Sequence, residues 1–218
     1  MNDILSVSEL IENAHSIAVV PSKVACANAF SAAVGLYFML LDKGKKVKLI
    51  HTGKIPDECT TLISKDEIDS SISQRELEVS IDYSNTPAAK VRYSTDHDVL
   101  HLIVAPVPKD FELSRVKSRI LGFEFDLVFV IGAQIMEDLG QTYDELRREF
   151  SGAKIVNLDN TSRNRQYGNI NIVDTNADSL SSLVFKQASE WKLVPNTKAA
   201  KALLVGMTYK ESRVDYSR

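Results

Sequence analysis

The stretch from Ser16 to His51, SIAVVPSKVACANAFSAAVGLYFMLLDKGKKVKLIH, constrains the fold more than any other part of the chain. Its β-branched start predicts a strand that Pro21 ends. From Cys26 to Asp42, small residues give way to Val34, Tyr37, Phe38, Leu40 and Leu41 at helical spacing, and Gly44 follows as a helix stop. KKVKLIH then supplies a second strand. A strand, a helix and another strand in so short a span form a βαβ unit, whose crossover helix forces the two strands to run parallel. The pattern recurs later: DLVFVI is a fully apolar strand, 135–150 a charged amphipathic helix and AKIVNL the next strand. Together these predict an α/β fold, a parallel sheet with helices on both faces.

Between the two βαβ regions the pattern changes. ELEVSIDYS, AKVRYS and VLHLIVAP carry apolar residues at β spacing with short polar turns between them, which predicts an inserted antiparallel β meander at about 75–106. Helices are expected at 3–15, 178–192 and 196–205, with Pro195 separating the last two. No repeat or low-complexity linker divides the chain, so residues 1–218 are expected to form one domain. At 218 residues and 44% hydrophobic, it can bury a core without disulfides or a structural metal. The net charge of −3 argues against a strongly basic nucleic-acid binder. Cys26 and Cys59 show no CxxC spacing, and the N-terminal stretch lacks the layout of a secretion signal, so a cytoplasmic setting is expected. FSAAVGLYFMLL is too short to span a membrane and meets Asp42 at once, so no membrane association is expected.

The segment Ile155–Asp174, IVNLDNTSRNRQYGNINIVD, carries the chemistry. A strand runs into Asp159, a polar loop closes at Tyr167-Gly168, and a second apolar run ends at Asp174. Asp159-Asn160-Thr161-Ser162-Arg163-Asn164, the Tyr167-Gly168 pair, and Val173-Asp174 before Ser179, Ser181 and Ser182 resemble the motifs of the DHH phosphoesterase superfamily, which includes RecJ-like exonucleases, oligoribonucleases and nucleotide phosphatases that use manganese. The resemblance extends from Ile17 to Gly206. In that family the third motif reads Asp-His-His-x-x-Asn, and here Asn160 and Thr161 stand where the histidines would be. Anchored on Ser31, the first motif places Pro21 at the family's histidine and Ala25 and Ala27 at its two aspartates. Gly132 closes DLVFVI where the family has another aspartate.

Pro, Ala and Gly offer no side-chain ligand, and a hydrolase working through two hard divalent ions needs carboxylates and imidazoles to replace their water shells. The resemblance therefore implies a pseudoenzyme: a degenerate metal site at Pro21, Ala25, Ala27, Gly132, Asn160 and Thr161, no metal, no cofactor, and no catalytic residue beyond the residual candidates Asp159 and Asp174. It also implies a smaller C-terminal substrate-clamping domain, which the chain lacks, since Lys210 stands at the aspartate of the family's Gly-x-x-x-Asp-Thr region. The expected role is a non-catalytic module that binds nucleotides or short single-stranded nucleic acid weakly, or a protein partner. Two alternatives stand beside it: an active metal-dependent oligoribonuclease or nucleotide phosphatase with unconventional ligands, and an oligomeric scaffold associating through the β insert.

Arg163, Asn164 and Arg165 can grip a phosphate or carboxylate outside the carboxyl ends of the strands, where α/β ligands bind, or can form an ordinary solvated loop. Lys23, Asn28 and Ser31 are candidates for the same crevice at a helix start, although Asn and Ser also serve as helix starters. Asp159 and Asp174 can equally be strand-end residues that cap the loops after them. His97 and His101 fall in a turn and strand, where four residues span about 13 Å, too far for a shared metal.

Overall fold

The computed structural model describes residues 6–24, 26–70, 76–85, 90–121 and 124–209. In chain order these form α1 (Val7–Asn13), β1 (Ile17–Pro21), α2 (Cys26–Asp42), β2 (Val47–Ile50), β3 (Ile68–Asp69), β4 (Glu76–Ile81), β5 (Lys90–Asp96), β6 (Val99–Ala105), β7 (Val116–Leu121), β8 (Leu127–Ile131), α3 (Gln141–Gly152), β9 (Lys154–Asp159), β10 (Ile170–Val173), α4 (Leu180–Glu190) and α5 (Thr197–Thr208). Six strands make a parallel sheet in the order β10-β9-β8-β1-β2-β3. This is the expected α/β fold.

Successive side chains of a strand point to opposite faces, and β1 serves two cores in this way. Ile17 and Val19 pack with α1, α2, α4 and α5, while Ala18 and Val20 pack with Leu146 and Phe150 of α3. Both faces being covered, the central strands read as unbroken apolar runs. α2 is apolar on nearly every side because it lies between the sheet and α4 and α5. Its Gly35 faces α5 so closely that a Cβ there would lie 2.6 Å from Leu203 Cδ2. The same crowding recurs at Gly206 of α5, where a Cβ would lie 2.0 Å from Ser181 Oγ of α4 and 3.0 Å from Ser31 Cβ of α2. Small residues on three helices let their backbones close together. No helix among the described residues is long and apolar enough to cross a membrane.

Residues 75–122 form a compact unit of their own beside the unit made by 1–74 and 123–218. The insert is antiparallel, but it is not a meander. β4 pairs with β7, and β5 pairs with β6 in a separate two-stranded hairpin. Alternation shows which residues share a face, not which strand lies next to which.

Candidate functional site

β8, β9 and β10 deliver their carboxyl ends to one side of the sheet, and the loop 160–168 closes over them. Asp159 ends β9 and is buried, with only 2% of its surface exposed. Its Oδ1 accepts from the Asn160 amide at 2.8 Å and its Oδ2 from Asn164 Nδ2 at 2.8 Å. Burial pushes the carboxyl up from its ordinary pKa, and these donors pull it back down. A charged group is tolerated there because its oxygens are met by N–H donors.

Asn164 is the hub. Its Nδ2 also donates to the Ala133 carbonyl at 2.9 Å, and its Oδ1 accepts from Asn157 Nδ2 at 2.7 Å and from the Gln166 amide at 2.8 Å. Asn157, fully buried in the middle of β9, reaches Asn171 Oδ1 of β10 at 2.9 Å. Asn171 in turn accepts from the Gly168 amide and donates to the Gly168 carbonyl. A Cβ at Gly168 would lie 2.7 Å from the Ile170 carbonyl oxygen, so only glycine lets the loop approach β10 this closely. Tyr167 completes the closure: its hydroxyl donates to the Ala133 carbonyl at 3.0 Å, and burial raises its pKa far above the ordinary phenol range. The polar centre of the crevice is thus occupied by the protein's own amides.

Asp174 lies just past β10. Its amide donates to the Asp159 carbonyl at 3.0 Å, and its carboxylate accepts from the Asn176 amide at 3.1 Å and from Lys186 Nζ at 3.1 Å. Those bonds, the Asn176 amide first, hold its pKa below the ordinary value. Asp138, in the turn after β8, accepts from the Gln134 amide at 2.8 Å and the Ile135 amide at 3.3 Å. All three carboxylates serve as local caps.

Arg163 and Arg165 are different. With Gln134, Ile135, Asp138 and Asn164 they line an open crevice of about 520 Å³, and both are exposed. Neither guanidinium has an ion pair or hydrogen-bond partner among the described residues.

The structure does not bring the remaining candidates to this crevice. Asn28 Oδ1 accepts from the Leu180 amide at 3.1 Å, at the start of α4. Ser31 is fully buried, its hydroxyl 3.2 Å from Cys59 Sγ. Lys23 follows β1, and its Nζ would lie 3.5 Å from a Cβ placed on Gly140. Sequence reasoning missed Asn157 and Asn171; a lone amide within the apolar run IVNL was the available signal, since a buried polar group must find a partner.

At the positions aligned with family metal ligands, Pro21 is buried at the end of β1 and Ala27 is buried in α2. Ala25 lies outside the described residues. Asn160 Nδ2 donates to the Ala177 carbonyl at 3.1 Å, and Thr161 Oγ1 accepts from the Arg163 amide at 3.3 Å. Gly132 has φ +74°, a conformation that disfavours any residue with a side chain. Among the described residues, no three His, Cys, Asp or Glu side chains converge as metal ligands would. This donor set does not fit a manganese pair.

No family model matches the chain, and no curated protein does. The fold itself has a known counterpart. The chain is similar in structure to an exopolyphosphatase-related protein from Bacteroides fragilis, with a TM-score of 0.62 at 15% identity. The likeness covers 92% of this chain and 47% of that one, so this chain spans about half the length of its neighbour.

Proposed function

We propose that this chain is a non-catalytic module with a phosphoesterase-like fold, whose crevice binds phosphate-bearing anions, nucleotides or short single strands, through Arg163 and Arg165. The observation that carries this function is the contrast within the crevice. Its carboxylates are committed to protein donors, while its two arginines are exposed and unpartnered. A guanidinium presents N–H donors in a fork that matches phosphate geometry, and neither arginine needs a metal for that. The description of the structural neighbour as exopolyphosphatase-related also supports a phosphate-bearing ligand.

With two exposed cations on an acidic chain, affinity falls roughly in the micromolar to millimolar range and weakens as salt rises. Calorimetric titration of mononucleotides and short single strands against the wild type and an Arg163→Ala/Arg165→Ala variant tests this. Salt-sensitive binding lost in the variant supports the function; no binding at any salt concentration removes it. Incubation with Mn²⁺ and a short RNA tests for turnover. Hydrolysis abolished by Asp159→Ala or Asp174→Ala would establish an enzyme instead.

The hairpin favours a second function, self-association. Cross-strand partners share a face, and Val91, Tyr93 and Thr95 lie opposite Val104, Leu102 and Leu100 on one side of β5–β6. Val91 is 68% exposed, Tyr93 78% and Leu100 60%. A two-stranded hairpin with its apolar face in water is marginally stable alone. The face holds no charged side chain, so two copies can meet without repulsion. It offers roughly 500 Å² per copy, and the pair would bury about 1,000 Å², where specific interfaces begin. Light scattering of the intact chain should show a dimer that a Tyr93→Lys/Leu102→Lys variant loses; a monomer at high concentration counts against it.

A further inference from the structure

At the opposite edge of the sheet from the arginine crevice, the segment after β2 folds back toward α2 and α5 and encloses a cavity of about 760 Å³. Its apolar wall includes Phe38, Leu62 and Ile63, each nearly fully buried. Its charged groups are mostly cationic: Lys54, Lys65, Lys198 and Lys201, against Glu67 alone. Glu67 is engaged locally, accepting from the Ser64 amide at 3.1 Å, and Lys54 pairs with Asp57 at 2.8 Å. On a chain whose net charge is negative, this concentration of lysine is a local inversion.

The two α5 lysines are held over the cavity by contacts. Lys198 Nζ lies 5.0 Å from the Phe38 ring centroid, and Lys201 Nζ donates to the Thr61 carbonyl at 3.3 Å. Both occupy the first turns of a helix, the end at which the backbone dipole favours acids, and the first turn of α5 carries none. Cations there oppose the helix's own preference and gain nothing for its stability. A negative group entering the cavity would meet two lysines and the helix start together.

We propose that this cavity is a second binding site, taking an amphiphilic organic anion whose phosphate or carboxylate head pairs with Lys65, Lys198 and Lys201 and whose apolar body lies against Phe38, Leu62 and Ile63. The volume falls in the range of ordinary small-molecule sites, and an apolar wall with a few convergent polar groups is their common composition. His51 lines the same cavity; its Nε2 lies 3.3 Å from the Lys54 carbonyl oxygen. Burial pushes the imidazole pKa down, so near neutrality the ring presents a hydrogen-bonding group and no added charge.

The test uses the full chain with dodecyl phosphate below its micellar concentration, followed by calorimetry and by amide chemical shifts in two-dimensional NMR. Shifts are expected to map to residues 51–70 and 198–201, with dodecyltrimethylammonium producing none there. The Lys198→Ala/Lys201→Ala variant should bind at least tenfold more weakly. Its melting temperature should be unchanged or raised, because two cations leave the first turns of α5, and this separates a lost ligand contact from a lost fold. Lys65→Ala should weaken binding independently. The proposal is overturned if the shifts map elsewhere, if the cationic amphiphile moves the same resonances, or if the double variant binds as tightly as the wild type.

Discussion

Replacing Asn164 with alanine should reveal how much of the crevice's order depends on one amide. The side chain donates to Asp159 Oδ2 at 2.8 Å and to the Ala133 carbonyl at 2.9 Å, and it accepts from Asn157 at 2.7 Å and from the Gln166 amide at 2.8 Å. Each net hydrogen bond contributes about 1 kcal/mol, and a buried oxygen or amide left without a partner costs about 1–3 kcal/mol more. Two of these bonds plus one stranded group give an expected loss of about 2–4 kcal/mol at pH 7. The loss should depend on pH. Burial already raises the folded-state pKa of Asp159, and Asn164 is the largest of the hydrogen-bond contributions that lower it. Without Asn164 that pKa rises further, so the variant's stability declines more than the wild type's as pH rises through the interval between the unfolded and folded values. The deficit is therefore greatest near neutrality and narrows as acid protonates Asp159 in the folded state. Urea denaturation of both proteins across the acid-to-neutral range measures it. A deficit below about 0.5 kcal/mol, typical of an ordinary surface change, or one that does not vary with pH would refute the network as described.

Three further outcomes follow from the packing. Ser181 Oγ is buried and meets no hydrogen-bond partner among the described residues, so Ser181→Ala should leave the melting temperature unchanged or raised. Gly206→Ala should lower it, because overpacking of about 1–3 kcal/mol exceeds the gain of about 1 kcal/mol in helix propensity, and the loss should shrink in the Ser181→Ala background. Gly132→Asp, which restores a family carboxylate on paper, should cost about 1–2 kcal/mol in urea denaturation because of the positive φ, and should give no rise in melting temperature with Mn²⁺. In a Cys26→Ala background, Cys59 should react with a disulfide reagent only as fast as the protein opens, since it is buried and its thiol pKa is raised by that burial.

The buried strands were legible because a parallel sheet covered on both faces leaves long apolar runs, and α2 appears at Cys26–Asp42, where small and apolar residues give way to Gly44. The insert was harder to read. β7, VKSRIL, interleaves lysine, serine and arginine with its apolar residues and was not recognised as a strand, so the expected insert stopped near 106 and its pairing order was wrong. In the crevice, the spacing of Asp159, Asn164 and Gly168 pointed to one constellation, and the structure joins all three in one network. What could not be read was that Asn28 and Ser31, adjacent to the same sheet edge, are taken up in helix packing. The lysine cavity left no local mark, because its wall draws on α2, the loops after β2 and the start of α5, and only the fold brings them together.

Glu76 and Leu121 are directly opposed in the β4–β7 ladder, so the points where residues 76–121 leave and rejoin the rest of the chain lie only about 5 Å apart. To the body of the protein, that long excursion has the end-to-end span of a tight turn. A loop whose ends are held together by its own ladder asks for almost no additional closure entropy, however many residues it contains. Its length and content are therefore open to change with little penalty to the parallel sheet. In evolution the region behaves as an exchangeable cassette: a lineage can enlarge, trim or replace it, and so change what the protein associates with, while the crevice and the sheet beneath it stay as they are.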